Sequence, residues 1–121
     1  MKRVALYAKS GIIRKSVVWL GDSLERLRGF PRESMREAGY QLERVQTGRE
    51  PQDWKPMASI GPGVNELRIR IGGAFRVVYV AKFGEAVYVL HAFQKKSQRT
   101  SRLDVELARR RYSNLINARR A

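Results

Sequence analysis

The sequence predicts an α+β domain: an antiparallel-rich, twisted sheet in the order β-α-α-β-β-β-α, with the helices packed on one face. Three observations carry this expectation. Residues 64–71 (VNELRIRI), 74–82 (AFRVVYVAK) and 86–95 (AVYVLHAFQK) are strand-like runs joined by short glycine-containing turns, the pattern of an antiparallel meander. Two stretches with helical spacing precede them. A third closes the chain, opened by Ser101 three residues before Asp104, the spacing of a capping box.

The elements follow in order. Ser16 to Leu20, SVVWL, is a β-branched and aromatic run that reads as a strand ended by Gly21 and Asp22. Asp22 or Ser23 caps a short helix through Arg28, with Leu24 and Leu27 facing inward. Pro31 sits where a first helical turn tolerates it, and Met35, Ala38, Leu42 and Val45 form one stripe that Gly48 ends. Residues 50–63, EPQDWKPMASIGPG, are rich in proline and glycine and read as a loop. In the last helix Val105, Ala108, Tyr112, Leu115 and Ile116 share a stripe, and Asp104 and Glu106 lie in the first turn, where the helix dipole favours acids. A chain of 121 residues supports one core, so residues 15–121 are expected to form a single domain behind an N-terminal extension, 1–14.

Composition narrows the chemistry. With no cysteine and one histidine, thiolate sites, disulfides and multi-histidine metal cages are excluded, and neither a metal nor another cofactor is expected. The N-terminus lacks the sustained apolar run of a signal peptide, and no segment has the roughly 20 apolar residues of a membrane span, so a cytoplasmic protein without a membrane partner is expected. The net charge is +14, unevenly spread: +5 over residues 1–21, −1 over 22–53, +6 over 54–100 and +4 over 101–121. Clustered cations of this density gain binding free energy by releasing counterions from phosphates, which points to a polyanionic partner.

Alternation along 64–71 puts Asn65, Leu67, Ile69 and Ile71 on one face and Glu66, Arg68 and Arg70 on the other. A two-residue turn at Gly84-Glu85 sets Arg76 opposite Phe93 and Val78 opposite His91, so Arg76, His91 and Lys95 project from one side. A two-residue Gly72-Gly73 turn would put Arg76 in the core. A longer turn or a bulge, pairing Ile71 with Phe75 and Arg70 with Arg76, is therefore expected. Such a face suits an RNA backbone. Cations stabilise the charge that develops when a 2′-oxygen attacks its own phosphate, a reaction with an internal nucleophile that needs no metal. Phe93 or Trp54 would stack on an unpaired base, with Lys96 and Arg99 feeding the site. His91 taken alone is more often a strand histidine bonded to a neighbour; beside Arg76 and Lys95 it is the side chain placed for proton transfer near neutrality.

The blocks KSVVWLGDSLERL, AGYQLERVQTGREPQDWKPM, GPGVNELRIR, AFRVVYVAKF and YVLHAFQKKSQRTSRLDVELARRR together resemble the HigB-type, phage-derived branch of the RelE/ParE toxin superfamily. The resemblance implies a RelE-like fold and the toxin of a type II toxin–antitoxin pair, a metal-independent endoribonuclease that cleaves mRNA on the ribosome. It also implies a helix-turn-helix antitoxin that neutralises the toxin and brings it indirectly to operator DNA. By the same resemblance, Arg68 and Arg76 match positions that bind and polarise the scissile phosphate, and Lys95 and Lys96 fall where another cation follows the last strand. The chain departs from the pattern at Glu66, where relatives often carry lysine, and at Leu103 and Asp104, where a catalytic tyrosine is common. The expected catalytic set is Arg68, Arg76, His91 and Lys95, with Glu66 an alternative base, and the expected RNA-binding set is Arg70, Phe93, Lys96, Arg99 and Trp54. Rival functions are a ParE-like gyrase poison on the same fold and a noncatalytic nucleic-acid-binding module.

Overall fold

A computed structural model of the chain describes residues 2–4 and 14–121. In chain order these form β1 (Lys2–Val4), β2 (Ser16–Trp19), α1 (Ser23–Arg28), α2 (Arg32–Gln46), β3 (Trp54–Pro56), β4 (Val64–Ile69), β5 (Phe75–Val80), β6 (Ala86–Gln94) and α3 (Arg102–Arg120). The strands make one six-stranded sheet in the order β1-β2-β6-β5-β4-β3. All its pairings are antiparallel except that of β2 with β6. The α+β expectation holds, and the three helices and the meander fall where the periodicity places them.

Two edges go beyond the expected order. Within 50–63, read as loop throughout, β3 pairs Trp54, Lys55 and Pro56 with Leu67, Glu66 and Asn65. A proline is tolerated there because β3 is the outermost strand of the sheet and needs no donor on its free side. The extension expected over 1–14 lies mostly outside the described residues; within it, Lys2–Val4 pairs with β2, and Arg14 bonds Glu43 of α2.

The placement of all helices on one face is corrected. Leu27 of α1, and Ala38, Leu42 and Val45 of α2, pack with Val17, Trp19, Leu67, Ile69, Val77, Val87 and Val89 on one side of the sheet. Ala108, Tyr112 and Leu115 of α3 pack with Val18, Leu20, Val64, Val78, Ala86, Tyr88 and Leu90 on the other. The central strands β5 and β6 are covered on both sides, which is why they read as nearly continuous apolar runs.

Register decides which cations meet. Arg68 stands opposite Arg76 and Ile69 opposite Phe75, so the connection is the five residues Arg70 to Ala74. The predicted face is right, but the predicted partner is two residues off: Arg68, and not Arg70, faces Arg76. On the other side Arg76 does face Phe93, and Val78 faces His91. That agreement comes from two offsets that cancel. The turn after β5 is wider than two residues, and an irregularity between Val78 and Tyr79 restores the count, with Tyr79 paired to Val89 so that Leu90 is the extra residue.

Candidate functional site

Glu66, Arg68 and Arg76 converge because β4 and β5 pair in this register and the three alternate with core residues. Glu66 Oε1 lies 3.4 Å from Arg76 Nε and 3.8 Å from Arg68 Nε. The Glu66 side chain is fully buried, that of Arg76 is 4% exposed and that of Arg68 is 24% exposed. Arg76 Nη1 donates to the Phe75 carbonyl at 2.9 Å, and Thr100 Oγ1 donates to Glu66 Oε2 at 3.1 Å. Glu66 Oε1 and the Nε atoms of both arginines have no hydrogen-bond partner. Buried polar atoms are normally satisfied, so the two guanidinium Nε–H groups that make no hydrogen bond leave donor capacity for an oxyanion, with the Glu66 carboxylate as the anion now beside them. Burial pushes the Arg76 guanidinium below its ordinary range, with Glu66 opposing and Arg68 and Arg70 reinforcing the shift.

Further cations surround this cluster. Lys55 stands opposite Glu66 across the β3–β4 pair, on the same face. The Lys95 ammonium is pushed down first by burial and then by the charge of Arg76, opposed by Glu66, so Lys95 is electrostatically part of the cluster. Beside it lies a cavity of about 370 Å³ lined by Arg26, Phe93, Lys95, Lys96, Arg99 and Asp104 among others. The helix α3 begins beside this cavity, whose lining includes its first-turn residue Asp104. It starts at Ser101, whose Oγ accepts from Asp104 N at 3.1 Å, and runs toward the far turn, where Arg119 bonds Glu85.

His91 is placed differently from the expectation. It has no exposed surface, its Nε2 is 2.7 Å from Asp104 Oδ1, its Nδ1 has no partner, and its ring stacks on Phe93 at 5.1 Å. In this conformation the imidazole touches no solvent and therefore no RNA; it reaches the cavity through two of its lining residues, Asp104 and Phe93. Burial pushes its pKa below 6.5, and the Asp104 carboxylate pulls it back up. Neutral His91 thus donates Nε2–H to Asp104, while Ser101 Oγ donates to the other carboxylate oxygen.

Among the expected binding residues, Lys96 and Arg99 line the cavity and are exposed. Arg70 is at the rim, 63% exposed, with Nε 2.8 Å from Asp53 Oδ2. Phe93 is buried, with one ring face taken by His91, so it is not the open stacking platform expected. Trp54 is a clear correction. It pairs with Leu67, on the α1/α2 side of the sheet, and its Nε1 donates to Glu50, so it faces away from the cations. Its neighbour Lys55 takes the place on the basic face; recognising residues 54–56 as a strand would have found it by alternation. Asp104, Thr100 and Arg26 were also missed as site residues, because only the docking of α1, α3 and the 95–101 segment brings them in. Among the described residues no three His, Asp or Glu side chains gather as metal donors, and no helix is long and apolar enough to cross a membrane.

The open six-stranded sheet, three helices and a basic cluster define a small α+β protein whose architecture is consistent with a RelE-like fold. Residues 25–113, from α1 into α3, match the family described as phage-derived protein Gp49-like (DUF891), and the chain belongs to that family, which is toxin-like. No curated protein matches the chain.

Proposed function

We propose that the protein is a HigB-like toxin of a type II toxin–antitoxin pair, a metal-independent endoribonuclease that cleaves mRNA on the ribosome in the cytoplasm. The observation that carries this reading is the pairing of Arg68 with Arg76 across the sheet, each with an Nε that makes no hydrogen bond and lies within ion-pair distance of the buried carboxylate of Glu66. Two guanidiniums hold the scissile phosphate and stabilise the charge that grows on it as the adjacent 2′-oxygen attacks, while Lys55 and Lys95 hold the flanking backbone. Glu66 is the carboxylate within reach of a phosphate held there and takes the 2′-proton; the burial of His91 against Asp104 makes it a positioning residue for the start of α3. The Gp49-like membership supports the toxin assignment, and the basic outer residues of α3, among them Arg102, Arg109 and Arg110, suit an acidic segment of a helix-turn-helix antitoxin.

The test is induced expression with mapping of mRNA 5′ ends in translating cells. In-phase cuts within coding regions are the expected result. Arg76→Ala should lower cleavage by about 100-fold or more, the usual consequence of losing one preorganised charge donor. Soluble, folded Arg76→Ala with full toxicity would sink the assignment of Arg76. Intact transcripts with stalled replication would move the function to gyrase, and RNA retention without cuts would reduce it to binding.

A further inference from the structure

The cluster that this reading requires is shut. Arg76 and Glu66 have 4% and 0% of their side chains exposed, so a backbone phosphate has no path to them in this conformation. The segment between β6 and α3 is bonded to the cluster's own carboxylate and to the residue before β5. Lys95 N–H donates to the Ala74 carbonyl at 2.7 Å, and Thr100 Oγ1 donates to Glu66 Oε2 at 3.1 Å. Ala74 immediately precedes β5 and Glu66 lies on β4, so the segment is tied down on both sides of Arg76.

What lies between the anchors is cationic. Lys96 and Arg99 are exposed and Lys95 is half-buried, and the Lys95 ammonium feels the like charges of Arg76 and Arg68. Like charges at such range repel, and a single hydroxyl-to-carboxylate bond opposes that repulsion at the Thr100 end. Ser97 Oγ bonds the Arg99 carbonyl, so the segment keeps a local shape of its own.

We propose that residues 95–101 are a lid over the Arg68–Arg76 phosphate site, latched by Thr100 on Glu66, that lifts for an RNA strand and recloses on it. The proposal rests on the RNA reading above. Lys95, Lys96 and Arg99 gain phosphate partners when the strand enters, and the repulsion beneath them is neutralised in the same step. Removing the latch frees the Glu66 carboxylate and exposes the arginines; Thr100 is therefore a positioning residue that controls entry.

The test uses the full-length protein, first without ligand. Arginine labelling by phenylglyoxal, read peptide by peptide, compares Arg76 with Arg102, whose side chain is 90% exposed. Arg76 is expected to react far more slowly than Arg102 in the parent protein. In Thr100→Val, which keeps the shape and loses the hydroxyl, Arg76 labelling should rise about tenfold, the equivalent of one hydrogen bond to a charged group, with Arg102 unchanged. Thr100→Ser should restore slow labelling. The second arm is the association rate of a short 2′-O-methyl oligoribonucleotide, which cannot be cleaved; it should rise several-fold in Thr100→Val only. Equal Arg76 labelling in the parent and in Thr100→Val overturns the lid, even if both bind RNA. Faster labelling with no RNA binding by either protein upholds the latch and overturns RNA as the strand that opens it.

Discussion

His91 is the only histidine, so it is the only side chain whose unperturbed pKa lies between pH 5 and 8. Because burial depresses its folded-state pKa below 6.5, the unfolded chain binds the proton more readily. The contribution to stability is therefore full above pH 6.5 and is lost as the pH falls below it toward the folded-state pKa. Urea midpoints of the parent protein should drop on acidification from pH 7 to 5.5, and His91→Gln, which keeps a donor toward Asp104, should flatten that part of the profile. A parent profile flat over this window, or one that His91→Gln leaves as steep, would refute the buried neutral imidazole. The face of His91 was legible from alternation, but its partner Val78 came out right only because the wider turn after β5 and the irregularity after Val78 cancel. Its burial was not, because Asp104 reaches it only once α3 has docked. Glu66 shows the same limit: its face could be read, but its closure by Thr100 depends on a segment with no periodicity of its own.

At the scale of elements, a helix or strand was legible wherever several residues repeat one pattern. The stripe Val105, Ala108, Tyr112, Leu115 and Ile116 packs as its spacing demands. The sequence of β6 also held the evidence against a one-faced sheet: Ala86, Tyr88 and Leu90 go to one side and Val87, Val89 and Ala92 to the other. A strand without a polar face must be covered twice. The three-residue β3 was illegible because its length gives no period and Pro56 argues against a strand. Besides its apolar stripe, α3 is tied to the turn after β2. Arg111 donates to the Leu90 carbonyl at 2.9 Å and to Asp22 Oδ1 at 2.7 Å, and Asp22, expected as a cap, makes no side-chain cap bond. Its carboxyl is held near a pKa of about 2, chiefly by Arg111. Gly21 makes room for this guanidinium: its φ is +54°, and a Cβ there would fall 2.5 Å from Arg111 Cζ. Gly21→Ala should destabilise the fold by about 1–3 kcal/mol, from left-handed strain plus the displaced Arg111. Gly39→Ala, within α2 and with nothing near its Cβ, should instead be neutral or stabilising by up to about 1 kcal/mol. Thermal denaturation of the pair checks both, and equal midpoints would show that the turn does not hold α3.

For the whole molecule the question is whether the net charge of +14 binds a polyanion as a diffuse cloud or through a focused site. The structure makes the two separable. Lys55 and Lys95 flank the paired arginines, whereas Arg110 and Arg120 lie on α3, the latter at its far end. For single-stranded RNA each phosphate contact contributes about −0.7 to the slope of log K against log salt, so six contacts from Arg68, Arg76, Lys55, Lys95, Lys96 and Arg99 give a slope of about −4. Both double variants, Lys55→Gln with Lys95→Gln and Arg110→Gln with Arg120→Gln, lower the net charge by the same amount. A focused site requires the first to flatten the slope by about 1.4 and the second to leave it nearly unchanged. The readout is fluorescence anisotropy of a 2′-O-methyl oligoribonucleotide over a salt series. Equal flattening by the two variants would mean that the cations act as a cloud, and the convergence of Arg68 and Arg76 would then have no part in binding.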